Sequence, residues 1–129
     1  MKIKTSELTG GALDWVVLKC ESGTEPKHDT IASWWAKIDG KDRTTAHGWS
    51  QAFNPSTNWA HGGPIINRER ISRTIDHSGL WVAYWTDGYG EGDEAKKWIH
   101  CDRSELVAGL RCLVASKLGP EVEIPAELS

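Results

Sequence analysis

SELVAGLRCLVASKLGP, residues 104–120, is the stretch that decides the fold class. Leu106, Val107, Leu110, Val114 and Leu118 recur at the spacing that lines one face of an α-helix. Ser104 stands where a side-chain oxygen caps the first turn, and Gly119-Pro120 stops the last one. Near the start of the chain, Leu13, Val16, Val17 and Cys20 form a second such face over Thr9 to Glu21, with Thr9 as cap and Gly23 as stop. Between the two helices, LWVAYW, Leu80 to Trp85, reads as a strand. Lys97 to His100 reads as its partner across the Gly- and Asp-rich TDGYGEGDEA of residues 86–95. The pattern predicts an α+β fold over residues 1–129 as a single domain: two helices packed on a small, mostly antiparallel sheet, with long structured loops.

The remaining segments are read outward from that frame. Met1 to Thr5 is a short strand or a lead-in, and Ser22 to Asp29 is a polar turn region. Ile31 to Ile38 carries Trp34 and Trp35 side by side; on a strand these point to opposite faces, one to the core and one exposed or interfacial, unless the segment is helical. Asp39 to Asn58 is rich in Gly, Asp, Thr, Ser and Asn and reads as a long irregular loop. Ile65 and Ile66 are expected to open a short strand ahead of the charged run NRERISR, Asn67 to Arg73. The tail after Gly119 is expected to be extended and packed through Val122 and Ile124.

With 39% apolar and 26% charged residues, the 129-residue chain has the usage of a globular domain able to bury roughly two thirds of its unfolded surface. Eight of the eleven aromatics are Trp, a side chain whose flat apolar body serves equally in a core and as a stacking surface. A net charge of −3 argues against general affinity for nucleic acid, which rests on clustered Lys and Arg. Cys20, Cys101 and Cys112 form no C-x-x-C pair and read as reduced thiols of a cytosolic protein. No apolar leader segment and no run approaching the ~20 apolar residues of a membrane helix is present, so the chain is expected to stay in the compartment where it is made.

The most distinctive segment chemically is NPSTNWAHGGPII, Asn54 to Ile66. Ser56, Thr57 and Asn58 cap a turn or present donors to a ligand, and Trp59 adds a flat face. Gly62-Gly63, with Pro64 restricting Gly63, allows close approach of backbone N–H groups to an oxyanion. Arg68, Arg70 and Arg73 follow with positive charge. A stacking aromatic, a glycine pair and guanidinium groups suit a nucleotide or another phosphorylated small molecule. The competing reading is an elaborate turn with Trp59 in the core and the arginines solvated.

Catalytic readings are weaker. Ser56 or Thr57 with His61 and Asp76 or Asp87 has the residue types of a hydrolytic trio but no G-x-S-x-G elbow to position them. His47, His61, His77 and His100 lack H-x-x-x-H or H-E-x-x-H spacing, so no metal ion and no cofactor is expected. Gly88 to Gly92, GYGEG, lacks the Lys and Ser/Thr of a phosphate-binding loop, and Glu91, Asp93 and Glu94 read as a solvated turn.

Three blocks of the chain, KTSELTGGALDWVVLKCE, PSTNWAHGGPIINRERI and LVAGLRCLVASKLGPEVEIPAEL, resemble those of the NinX family, small proteins of undefined function from lambda-like phages. The resemblance runs nearly end to end and is sharpest in the central block. The chain departs from the family pattern at Asn58, where Asp is usual, and at Asn67, where Glu is usual. The resemblance implies a phage origin and an accessory role in the cytoplasm of the infected bacterium. The resulting expectation is a non-enzymatic protein that binds a nucleotide or cyclic nucleotide and sequesters it as a sponge against a host immune signal. The alternative is a protein-interaction module anchored by exposed tryptophans such as Trp34 and Trp49. Burial of tryptophan surface by self-association predicts a homo-oligomer.

Overall fold

The computed structural model describes residues 1–28, 33–45, 52–86 and 96–128. The elements run β1 (Lys2–Lys4), a 3₁₀ turn (Thr5–Glu7), α1 (Gly10–Ser22), β2 (Lys27–His28), β3 (Trp34–Ile38), β4 (Lys41–Thr45) and α2 (Trp59–Arg68). They continue with β5 (Ser72–Ile75), β6 (Trp81–Thr86), β7 (Lys96–Asp102), α3 (Glu105–Leu118), β8 (Glu121–Glu123) and a closing 3₁₀ turn (Ala126–Leu128). The fold is α+β, as the sequence pattern requires. Among the described residues it contains three helices and three small antiparallel sheets, β1-β8, β2-β3-β4 and β5-β6-β7.

The helix α3 is the centre of the molecule. Every residue from Leu106 to Ala115 is buried, because α3 packs against β5, β6 and β7 as well as against α1 and α2. Its cap is the expected one: the Ser104 hydroxyl accepts from the Val107 amide at 3.2 Å. The charged residue inside this stretch, Arg111, is 8% exposed and hydrogen-bonded through two of its three guanidinium nitrogens. Its Nε donates to the Leu8 carbonyl at 2.7 Å, and one terminal nitrogen reaches the Cys101 carbonyl at 3.0 Å and Asp102 Oδ1 at 3.2 Å. A buried guanidinium is tolerable only with such partners. Arg111 thereby ties α3 to β7 and to the chain entering α1.

The helix α1 buries Ala12 to Leu18 without interruption and ends at Gly23, whose amide donates to the Lys19 carbonyl at 3.0 Å. Thr9 occupies the cap position but makes no side-chain cap bond, so the expected hydroxyl cap is absent. Trp34 and Trp35 divide as a strand requires. Trp34 packs on the core, with its ring edge-on to Trp15 at 5.9 Å between centroids, whereas Lys27 sits 5.1 Å over the ring of Trp35. The tail pairs with the chain start through Lys2↔Glu123, Ile3↔Val122 and Lys4↔Glu121, and buries Val122 and Ile124 as expected.

Two segments differ from the sequence reading. The expected loop from Asp39 to Asn58 contains the strand β4, paired with β3 from Trp34↔Thr45 to Ile38↔Lys41. Asp39 and Gly40, both at positive φ (51° and 79°), form the two-residue hairpin turn that joins them. The residues expected to open a short strand, Ile65 and Ile66, lie instead in α2. There Gly62, Gly63, Ile65 and Ile66 form the buried face, while Ala60 and Pro64 lie on the exposed side. Pro64 has no N–H to offer the Ala60 carbonyl, and the break falls on the exposed side of the helix, where a proline is tolerated best.

Candidate functional site

The residues proposed from sequence as ligand contacts serve, for the most part, to hold the chain in place. Asn58 caps α2, its Oδ1 accepting from the Ala60 amide at 2.9 Å. Ser56 is buried, and its amide donates to Asp14 Oδ1 of α1 at 2.8 Å. Burial raises the pKa of Asp14 above its ordinary 3.8, only partly countered by that amide bond and by the nearby Ser56 hydroxyl. The hydroxyl itself has no hydrogen-bond partner among the described residues. Thr57 turns back on Asn54, its amide reaching the Asn54 carbonyl at 3.1 Å. His61 accepts from the Asn54 amide at Nδ1 (3.1 Å) and stacks on Phe53, and burial followed by the Arg43 charge holds its pKa low.

The glycine pair is packed. The Gly62 amide is used inside the helix, donating to the Asn58 carbonyl at 2.9 Å. A Cβ on Gly62 would lie 2.4 Å from the Pro55 carbonyl oxygen and 2.8 Å from Leu106 Cδ2, and one on Gly63 would lie 3.2 Å from the Trp59 ring. Arg68 makes a two-pronged ion pair with Glu21 at 2.7 and 2.8 Å and also reaches Glu69 at 3.0 Å. Hydrogen bonding to Glu21 holds its pKa above the ordinary arginine value. Arg70 is the left-handed residue (φ 55°) that ends α2: its amide bonds the Asn67 carbonyl and the next amide, Ile71, bonds the Ile66 carbonyl. That is the Schellman geometry with Arg at the usual glycine position. Trp59 is half exposed (49%) on α2, and neither it nor the glycine pair borders the cavities beside Trp98.

The other residues singled out in sequence are dispersed. Asp76 closes the turn between β5 and β6, accepting from the Ser78 and Leu80 amides, well separated in role from Ser56 and His61. His47, Trp49, Asp87, Gly88 to Gly92, Asp93 and Glu94 lie outside the described residues. The three cysteines are unpaired; burial pushes the Cys20 and Cys112 thiols up to about 11 and about 12. No group of three or more His, Cys, Asp or Glu among the described residues is placed to hold a metal ion. No helix among them is long and apolar enough to cross a membrane.

Cavities instead open along the C-terminal half of α3. One, about 400 Å³ and open to the surface, is lined by Lys4, Ser6, Trp98, His100, Pro120 and Glu121 among others. A second, about 200 Å³, is lined by Glu69, Ile71, Trp85, Trp98, Ser116 and Lys117 among others. Trp98 is the wall they share. It stands at an irregularity in the β6-β7 ladder: Ala83 pairs with His100 and Trp85 with Lys97, so β7 carries one residue more than β6 between those pairs. Such a bulge re-aims a side chain. Trp98 takes it up at φ 54°, a conformation that costs a bulky residue about 1–2 kcal/mol. The ring emerges 40% exposed, tilted against Trp85 at 5.3 Å between centroids. Strain held at an aromatic that borders two cavities is the feature of the fold that packing explains least.

The polar groups around that ring are few and distinct. Burial, then the charge of Arg111, lowers the pKa of His100, so its imidazole is neutral near pH 7 and offers one donor and one acceptor. Lys4 carries a positive charge with no ion pair among the described residues. Glu69 is half-buried, and burial alone would raise its pKa. The bonds and charges of Arg68 and Lys117 outweigh that and keep it ionised. The sequence offered no route to this groove, since Lys4, Ser116 and Trp98 come from three distant segments. Their meeting depends on β1 and β7 flanking the end of α3.

Fold and groove together define a small α+β protein with a tryptophan-walled surface groove. The chain belongs to the NinX family: the family model described as Bacteriophage P22, NinX matches residues 4–117. No curated protein matches the chain.

Proposed function

We propose that this phage protein is a non-enzymatic binder of a small ligand carrying a flat ring and a phosphate, a nucleotide or cyclic nucleotide, and that the groove at Trp98 receives it. The observation that carries this reading is the strained, half-exposed Trp98 bordering a cavity of about 400 Å³, within the roughly 300–1,000 Å³ of small-molecule sites. The ring supplies a stacking face, the Lys4 ammonium a counter-charge for phosphate, and neutral His100 and Ser6 supply hydrogen bonds. A phage protein that holds such a ligand without turning it over acts by lowering its free concentration. A host immune nucleotide signal is the ligand for which that serves the phage, which makes sequestration in the infected cytoplasm the proposed role.

Calorimetry with mononucleotides, cyclic dinucleotides and cyclic ADP-ribose isomers tests the reading. Binding by the parent protein that is lost in Trp98→Ala and kept in Trp59→Ala supports it. Binding lost instead in Trp59→Ala returns the site to α2, and heat from none of the ligands refutes the reading.

A second reading is favoured by apolar surface away from the groove. Ile75, Ile99 and Trp59 are 56%, 46% and 49% exposed, as expected of residues that anchor a protein partner or a second copy of the chain. Sedimentation showing a dimer at micromolar concentration, dissociated by Ile99→Lys, supports a homo-oligomer; a monomer at that concentration refutes it.

A further inference from the structure

Trp98 divides the groove into two compartments of unequal size. The larger holds Lys4 and Glu121, and the smaller holds Glu69 and Lys117 at its rim and the Trp85 ring as a second wall. At about 200 Å³ the smaller compartment falls short of the roughly 300 Å³ at which sites for whole small molecules begin, so it has room for a ring and little else. Glu69 Oε1 is taken by Arg68 and Lys117, while Oε2 accepts no hydrogen bond shown among the described residues. An ionised carboxylate oxygen left open beside a ring-sized space asks for a donor on that ring. Resting on the proposed function, we infer that the ligand is a dinucleotide whose two bases lie in the two compartments, one on either side of Trp98. The base beside Glu69 carries an exocyclic amino group, and the phosphates lie toward Lys4.

A second stacked base adds on the order of tenfold to a hundredfold in affinity. Calorimetry on the full chain with adenosine monophosphate, linear and cyclic di-adenosine phosphates and cyclic di-uridine phosphate reads this directly. The inference requires that a di-adenosine ligand bind at least about tenfold more tightly than the monophosphate, and that cyclic di-uridine phosphate, which has no exocyclic amino group, lose most of that gain. Ser116→Phe, filling the smaller compartment, is expected to bring the di-adenosine affinity down to that of the monophosphate while leaving the latter unchanged. A thermal melt shows whether this variant folds; if it does not, the comparison of ligands on the parent protein decides. Equal binding of monophosphate and di-adenosine ligands overturns the two-base inference and leaves a nucleotide site at Trp98 standing. Binding of none of them overturns both.

Discussion

Replacing Gly62 by Ala separates the two meanings of the glycine pair. On the exposed face of a helix this exchange stabilises by about 1 kcal/mol. At Gly62 the added Cβ meets the Pro55 carbonyl oxygen at 2.4 Å, the Pro55 carbonyl carbon at 3.3 Å and Leu106 Cδ2 at 2.8 Å. A leucine methyl swings aside, but the carbonyl belongs to the turn pinned by the Ser56-Asp14 bond and cannot move alone. Relieving the overlap therefore pushes α2 away from the turn and from α3. Overpacking of this kind costs about 3 kcal/mol at the upper end of its usual range, which leaves a net loss of about 2 kcal/mol after the helix gain. For a chain of this length that is a fall in Tm of about 6–12 °C. Gly63→Ala and Gly109→Ala calibrate the result. The first meets only the half-exposed Trp59 ring at 3.2 Å and is expected to be neutral or slightly stabilising; the second meets the Ile66 Cδ1 end at 2.6 Å, which rotates, and falls between the two. Thermal melts and urea titrations of the three variants give the order. A Gly62→Ala protein as stable as the parent would falsify the packing account and return the glycine pair to a ligand.

Three further outcomes follow from single residues. Asp14 has a raised pKa in the folded state, so its contribution to stability is complete below about pH 4 and is lost as pH rises through the folded value. Asp14→Asn keeps an acceptor for the Ser56 amide without the charge; its Tm is expected to exceed the parent's at pH 7, with the gap shrinking toward pH 3, and a gap constant across that range counts against the account. Arg70→Gly places the usual residue in the left-handed position and is expected to raise stability by up to about 1 kcal/mol in urea titration, whereas a loss means that the Arg70 side chain has a role the helix end does not explain. Trp98→Gly exchanges relief of backbone strain for the contact with Trp85, so a Tm within a few degrees of the parent's is expected, and a collapse of the fold shows Trp98 to be structural.

Both long helices, the β6-β7 pair and the packed tail were legible in the sequence, since each rests on local periodicity and on stop signals such as Gly23 and Gly119-Pro120. The strand β4 was overlooked because its residues, KDRTT, are polar; the readable signal was Asp39-Gly40, a two-residue hairpin turn. In α2 the glycines passed for flexibility, although Gly62, Ile65 and Ile66 keep helical spacing and Asn58 is a ready cap. Small residues there mark close approach of helix α2 to its neighbours. The groove was not legible, because no local rule places an αL bulge at a tryptophan and no spacing relates Lys4 to Ser116.

The enclosure of α3 from Leu106 to Ala115 makes that stretch a reporter. Amides from Val107 to Val114 sit in a helix covered on all sides, so hydrogen isotopes reach them only when the whole structure opens. Any molecule that binds the folded chain and not the open one slows that exchange by a factor of one plus the ratio of its free concentration to its Kd, about a hundredfold at a hundred times its Kd. Exchange of this one helix, followed by mass spectrometry in extracts of infected and uninfected bacteria, would register a natural ligand before its chemical identity is known.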